Sequence, residues 1–405
     1  MPLAGRRLVF AMCIGQVGNL LPHVVVQAIM ARHLVPLWGL SASEAGFMAS
    51  AYAFGYMLAV PVLATLADRI DARNILLGGT LVSMGATLAF PLVARDLVSA
   101  SLMWGLAGLG FAGAYMPGLK ALTDQLEGKV QSRATAFYTA GFGIGSTVSI
   151  IACGKIAAAF GWQWAFAFGA LGPVVAALVV TFAMPPGRTR AAHTPAPRLL
   201  DFRPVLRNRS TRAYIVGYSL HNYELFGQRA WMVAFLVFCG SLQPADAPML
   251  FSAATIAGII NLMGPLMSVS GNELALRLGR RRVILTFMMA SGALACVLGF
   301  TASAPWWLVF ALMAVHYGLM LGDSAALTSG AIASAPPDQR GSTMAIYSLS
   351  GFSAAFLAPL VFGVVLDLAG GNSSALAWGL AFASIGIFGV LAPAARLLVT
   401  RKPGP

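Results

Sequence analysis

Tyr218-Ser-Leu-His-Asn-Tyr-Glu-Leu-Phe-Gly-Gln-Arg229 sets a histidine, a glutamate and an arginine in the middle of an apolar run. That run, from about Ala213 to Gly240, is long enough to cross a bilayer as a helix. Glu224 falls about 11 residues past its start, roughly 16 Å at 1.5 Å per residue, near the middle of a hydrocarbon core about 30 Å thick. A carboxylate at that depth is costly, so it is expected to face protein or water rather than lipid.

Helical spacing sorts the polar residues of this stretch. Tyr218, Asn222 and Arg229 share one stripe at steps of four and seven, and His221, Glu224 and Gln228 share the adjacent one at steps of three and four. Leu220, Phe226 and Val233 help cover the rest. Two readings follow: a substrate or proton site in a membrane cavity, or a buried polar network that locks helices together. Intramembrane charge favours the first.

The whole chain has the same character. Of 405 residues, 58% are hydrophobic and 10% charged, with mean hydropathy +0.79; a soluble protein carries about 25% charged residues. Apolar segments recur from end to end, which predicts an all-α integral membrane protein. The first begins at Leu8 and outruns a signal-peptide core, so internal helices are expected to target the chain. Cysteines 13, 153, 239 and 296 stand alone in apolar segments and imply neither a metal site nor a disulfide framework.

Twelve spans are expected, at about 8–34, 44–66, 73–93, 98–121, 133–157, 163–184, 213–240, 248–269, 282–302, 305–328, 341–366 and 374–397. With the N-terminus in the cytoplasm, only Arg32, Arg95, Lys155 and Arg229 of the 26 basic residues lie away from cytoplasmic segments and helix ends. The positive-inside bias thus puts both termini in the cytoplasm and explains the net charge of +13 without nucleic acid. Trp38, Trp162, Trp164, Trp306, Trp307 and Trp378 fall near the opposite interface, as an aromatic belt would.

The stretch from Pro185 to Arg212 is Pro- and Arg-rich and reads as a cytoplasmic linker, with a short amphipathic helix near Leu199 to Leu206. It separates an N-terminal six-helix bundle, 1–184, from a C-terminal one, 213–405. The halves echo each other. Leu66-Ala-Asp-Arg-Ile-Asp-Ala-Arg73 matches Leu274-Ala-Leu-Arg-Leu-Gly-Arg-Arg281 at a shift of 208 positions, and Arg133 matches Arg340 at 207. Such internal repeats build two-bundle transporters.

Ala64-Thr-Leu-Ala-Asp-Arg-Ile-Asp-Ala-Arg73 resembles the Gly-x-Leu-Ala-Asp-Arg-x-Gly-Arg-Arg/Lys signature of the major facilitator superfamily (MFS), and Gly271 to Arg282 resembles its second copy. Ala64 and Asp71 replace two glycines in the first copy, and Leu276 replaces the acid in the second. The resemblance implies the MFS fold, with two pseudo-twofold-related bundles of six helices and alternating access around a midplane cavity. It also implies a charge relay in which Asp68, Arg69 and Arg73, with Arg277 and Arg281 in the second copy, gate the cytoplasmic side. The alternative for these residues, an interfacial topology anchor, stays open. The fifth span lacks the proline-containing glycine motif of drug–proton antiporters in this superfamily, and no arginine lies inside the second or eighth span, where its nitrate transporters carry one.

The first span has its own polar stripe: Gln16, Asn19, His23 and Gln27 at steps of three, four and four. In the superfamily this span is the counterpart of the seventh, and both line the central cavity. The tenth span carries His316 and, on the same face seven residues on, Asp323, which is read as a helix-end residue or a site residue. Lys120 is expected to snorkel to the surface. Tyr52, Tyr56, Tyr138, Asn261 and Tyr347 are further hydrogen-bonding candidates, each more often a packing residue.

No Walker loop, zinc spacing or nucleophile–base pair is present, so no enzyme and no cofactor or metal is expected. The expectation is a secondary active transporter of small solutes, coupled to protons through Glu224 and His221. Arg229 would attract an anionic group, making uptake of a small organic anion the leading reading. An exporter of amphipathic or toxic compounds is the rival, and a non-transporting membrane receptor or scaffold is the rival from another class. Expected partners are a small-molecule substrate, protons and the lipid bilayer, with a monomeric chain in a bacterial inner membrane.

Overall fold

Prolines, glycines and polar caps decide where the apolar segments become helices. The computed structural model describes residues 3–67, 70–186, 202–336 and 339–395, and among them no strand occurs. The helices are α1 (Gly5–Asn19), α2 (Val25–Ile29), α3 (Val35–Trp38), α4 (Ala42–Leu66), α5 (Ala72–Val93), α6 (Leu97–Thr123), α7 (Gly128–Phe160) and α8 (Trp162–Ala183). After the linker come α9 (Arg203–Arg207), α10 (Arg209–Ser241), α11 (Ala253–Leu262), α12 (Gly264–Leu278), α13 (Arg280–Leu298), α14 (Trp306–Leu321), α15 (Ser324–Ser334), α16 (Arg340–Leu368) and α17 (Ala375–Val390).

Nine of the described helical segments are long and apolar enough to cross a membrane. The broken first segment, the charge-bearing α10 and the shorter α17 bring the spans to the expected twelve. Three expected spans are not continuous. The first breaks after Asn19, because Pro22 has no N–H to give and its ring blocks the preceding turn. The polar stripe from Gln16 to Gln27 therefore does not run down one helix: Gln16 and Asn19 sit on α1, His23 in the break and Gln27 on α2. The eighth kinks between α11 and α12, where Pro265 occupies the first turn of α12. The tenth breaks at Gly322-Asp323, between α14 and α15. The short helix expected near Leu199–Leu206 is α9, a few residues later; residues 187–201 of the linker lie outside the described residues.

The chain divides into two compact units, Met1–Trp38 with Ala51–Ala196, and Gly39–Ser50 with Pro197–Pro405. In the first unit α1 crosses α8 at Gly18 and Gly172, where each backbone lies against the carbonyl of the other and leaves no room for a side chain. In the second unit Gly271 lies as closely against the carbonyl of Gly322. The start of α4 belongs to the second unit for a local reason. The N–H groups of Ala42 and Ser43 donate to Oδ1 and Oδ2 of Asp367 at 2.9 and 2.7 Å, so a carboxylate from α16 satisfies the open first turn. Asn208 caps α10 by accepting from Ser210 and Thr211, and its amide donates to the Ser334 carbonyl at 2.9 Å.

Of the tryptophans read as an interfacial belt, Trp164 and Trp307 are exposed, whereas Trp378 is buried against Trp231, Phe235 and Phe362 with its indole N–H on the Asn372 carbonyl.

Candidate functional site

Glu224 lies within a residue of the midpoint of α10, and its side chain is buried. Its Oε1 is 2.8 Å from Nε2 of His316 on α14, and its Oε2 accepts from the Ser291 hydroxyl on α13 at 3.1 Å. One turn earlier on α10, Nδ1 of His221 is 2.8 Å from Oδ1 of Asp323, at the break between α14 and α15. All four side chains are at most 4% exposed, which leaves them dependent on one another for solvation.

The two pairs are reciprocal. α10 contributes a histidine and then an acid, while α14 and the turn after it contribute a histidine and then an acid. Each acid meets the histidine of the other segment. The spacing of three keeps His221 and Glu224 on one face of α10, while Asp323 reaches His221 from the break after α14.

The other residues of the α10 stripe surround these pairs. Arg229 is buried, donates to the Tyr317 hydroxyl at 3.0 Å and lies 5.8 Å from the Phe226 ring centre. Tyr218 stacks on Tyr347 at 3.8 Å between ring centres. Asn222 and Tyr218 both press on Gly351 of α16, where any side chain would collide with them. Gln228 is fully buried, and no described group hydrogen-bonds its amide.

The first unit holds a different set. Gln16 and Asn19 are buried at the end of α1. Gln16 packs over Gly141 of α7, and no described group bonds either of its amide atoms. His23 is ringed by Tyr52, Phe142 and Phe111 at 5.0, 5.1 and 5.4 Å between ring centres. Tyr115 extends this aromatic wall, stacked on Phe111 at 5.7 Å. Of the site residues foreseen in the sequence, His221, Glu224 and His316 thus come together in the second unit, while in the first Gln16 and Asn19 are buried on α1 and His23 sits among aromatic rings.

The sequence profile of the Major Facilitator Superfamily matches residues 8–276. The chain belongs to the Major Facilitator Superfamily. Its fold is similar to that of a bacterial homolog of the human lysosomal transporter Spinster, with TM-score 0.77 at 17% identity over 98% of this chain and 96% of that one. It is equally similar to the nucleoside transporter NupG, with TM-score 0.77 at 13% identity over 97% and 100% of the two chains. In sequence it is 28% identical over 287 residues to a chloramphenicol resistance protein of Streptomyces lividans, covering 65% of this chain and 71% of that protein. It is 25% identical over 281 residues to spinster homolog 1 of Bos taurus, covering 65% of this chain. The match spans 52% of that bovine protein, about half its length.

As an MFS member the chain is a membrane-embedded transporter of small molecules. Asp68 and Arg69 of its signature loop lie outside the described residues. Arg73 donates to the carbonyls of Val180 and Thr181 at 3.3 and 3.0 Å, a bond to the last turn of α8 in its own unit. Arg277 pairs with Glu273 one turn away at 3.2 Å, both exposed, and Arg281 is exposed at the start of α13.

Sequence reasoning missed Ser291 and Tyr317 and left Asp323 between two roles. A serine in a span is too common to stand out, and Tyr317 sits beside a histidine that drew the attention. Asp323 carried one signal: it shares a face with His316, as His221 and Glu224 share theirs.

Proposed function

We propose that this MFS chain is a proton-coupled secondary transporter, with the Glu224–His316 and His221–Asp323 pairs as its proton-carrying machinery. The observation that carries the reading is the 2.8 Å contact between His316 and Glu224 at mid-helix, repeated one turn away by His221 and Asp323. A buried carboxylate–imidazole pair has two low-cost states, a neutral one with a shared proton and an ionic one. Adding or removing a proton leaves a net charge that the site cannot solvate. That penalty biases the equilibrium between conformations, which is what coupling requires. His221 faces Asp323, Glu224 and Arg229 as its charged neighbours, so a proton on one pair is felt by the other.

Arg229 is the recognition element in this reading. Its guanidinium presents a planar fork suited to a carboxylate or similar group, and Tyr317 holds part of it in place. Uptake of a small organic anion is the substrate reading that follows. Asp68, Arg69, Arg73, Arg277 and Arg281 would act as the gating relay, in a plasma-membrane monomer with both termini cytoplasmic. A reporter fused at Thr194 tests the orientation: activity outside the cell overturns it.

The test of coupling is transport by purified protein in liposomes. A thermal-shift screen of metabolites and drugs first finds a ligand, since binding the native state raises its apparent stability. Wild-type protein then accumulates that ligand when a pH gradient is imposed. Glu224→Gln fixes the group as neutral while keeping its shape, and is expected to bind and exchange the ligand without accumulating it. Full pH-driven accumulation by this variant would reduce the buried pairs to structural glue. A second reading, export of amphipathic compounds, rests on the 28% identity to the chloramphenicol resistance protein. It is favoured if chloramphenicol shifts the melting temperature and organic anions do not.

A further inference from the structure

A cavity of about 280 Å³ lies inside the second unit, lined by α10, α13, α15 and the stretch just past α17. Its lining grades along its length. At one end Ser210 and Arg281 are exposed; at the other Met288 and Ala392 are buried beside Leu220. The buried end lies one helical turn from Glu224 or from residues beside it on three elements. Leu220 is one turn before Glu224 on α10. Met288 is one turn before Ser291 on α13, and the one proton of the Ser291 hydroxyl can go either to Glu224 Oε2 at 3.1 Å or to the Met288 carbonyl at 3.2 Å. Ala392 is one turn past Gly389, where a side chain would come within 3.2 Å of Glu224 Oε2.

Oε1 of Glu224 is turned the other way, to His316. The two oxygens of one carboxylate thus face different surroundings: a histidine on one side, and on the other a serine hydroxyl and a glycine at the head of a cavity. From these contacts we infer that the cavity is a side vestibule through which Glu224 exchanges its proton with water at the Arg281 end of the second unit. The route runs from Ser210 and Arg281 past Tyr214 and Gly217 toward Oε2 of Glu224, which the Ser291 hydroxyl holds in place by donating to it. It lies wholly inside the second unit, so proton loading need not share a path with substrate.

The lining suits an entry that opens only in part. Ser210, Tyr214 and Arg281 supply polar atoms near the mouth, while Leu220, Ile284, Leu285 and Met288 make the neck apolar. Water crosses an apolar constriction as a transient chain rather than a standing column, which keeps the pair from equilibrating with that side at all times. Among the described residues, His316 and Ser291 contact Glu224, and Cys296 and, on its own helix, His221 interact with its charge; none of these four lines the cavity.

This inference rests on Glu224 being a proton carrier, and the test separates the two. Infrared spectra of the purified protein across pH show the carbonyl stretch of a protonated carboxylic acid, assigned to Glu224 by its loss in Glu224→Gln. On transfer to heavy water the band shifts as the proton exchanges. Ala213→Phe, at a half-buried wall position, and Ala392→Phe, near the head, are expected to slow that exchange at least tenfold. In a parallel arm, Met288→Cys is treated with a small cationic methanethiosulfonate. Mass spectrometry is expected to find an adduct at position 288, blocked by Ala213→Phe. A band that exchanges at the wild-type rate in both plugged variants, or a position 288 that stays unmodified, overturns the vestibule and leaves the proton-carrier reading standing. Absence of any Glu224 band at every pH overturns both. Thermal unfolding identifies a plugged variant that has not folded, in which case the labelling arm decides.

Discussion

Carried through at the shift of 208 positions that relates the two signature loops, the second unit's site falls on the first unit residue by residue. Gln16 stands where Glu224 stands, and Ser83 where Ser291 does; all four are buried. The rest of the buried histidine–carboxylate cluster has no counterpart. Cys13 occupies the place of His221, Gly108 that of His316, and Tyr115 that of Asp323. One framework has been kept in both units and charged in only one. Where the second unit sets two histidine–carboxylate pairs, the first sets a neutral amide and a wall of aromatic rings around His23. The difference teaches that position in the fold supplies a place for a polar side chain, while its charge depends on whether neighbouring helices supply a partner.

The first prediction is the one that breaks this comparison most sharply. Glu224→Gln makes the second unit like the first at the central position. Gradient-driven accumulation is expected to fall to the equilibrium level, while exchange of bound ligand persists. Gln16→Asn, which alters the first unit without touching a charge, is expected to keep accumulation. Equal loss in both, measured in the same liposomes, would mean that the two positions act alike.

The reverse change is the next largest. Gln16→Glu puts a carboxylate in the first unit with Cys13, Gly108 and Tyr115 in place of the second unit's histidines and acid. An unpaired buried charge costs several kcal/mol, and removing one partner of a buried pair costs about 3–5 kcal/mol. A clear drop in melting temperature is expected, relieved at low pH where the group is neutral. A variant as stable as wild type at neutral pH would show that the first unit solvates charge as well as the second.

Tyr317→Phe follows. It removes the hydroxyl that accepts from Arg229, and hydrogen bonds to charged groups are worth about 1.5–3 kcal/mol. A lower melting temperature and weaker binding of an anionic ligand are expected together. Loss of stability with unchanged binding would make Arg229 a structural cation.

The fold was legible because bilayer crossing imposes a coarse rule: long apolar segments, basic residues on one side and a repeated loop signature. The breaks were legible only in part. Pro22 and Pro265 announce two of them, but the turn at Gly322-Asp323 lies where Gly271 comes close to the Gly322 carbonyl, a contact between residues 51 positions apart in the chain. The site divides in the same way. The mid-helix placement of Glu224 and the polar stripe of α10 are properties of local spacing. The partners of Glu224 stand 67 and 92 residues away, so which histidine meets which acid is decided by the packing of α10, α13 and α14.

The smallest effect is expected at the one feature that both units share. Ser83 and Ser291 are buried serines at equivalent places on α5 and α13. Ser291 donates to Glu224, whereas no described group bonds the Ser83 hydroxyl. Ser291→Ala takes one donor from a carboxylate that keeps His316, so it is expected to cost about 1 kcal/mol of stability and a few-fold of coupled transport rate. Ser83→Ala removes a buried hydroxyl that has no described protein partner, and such deletions are neutral or slightly stabilising. The contrast between two chemically identical changes reads out the carboxylate alone. If Ser291→Ala instead abolishes coupling as fully as Glu224→Gln, the hydroxyl is an obligatory link in the proton's path; if it behaves as Ser83→Ala does, the 3.1 Å bond to Glu224 contributes nothing, and His316 alone sets the state of the pair.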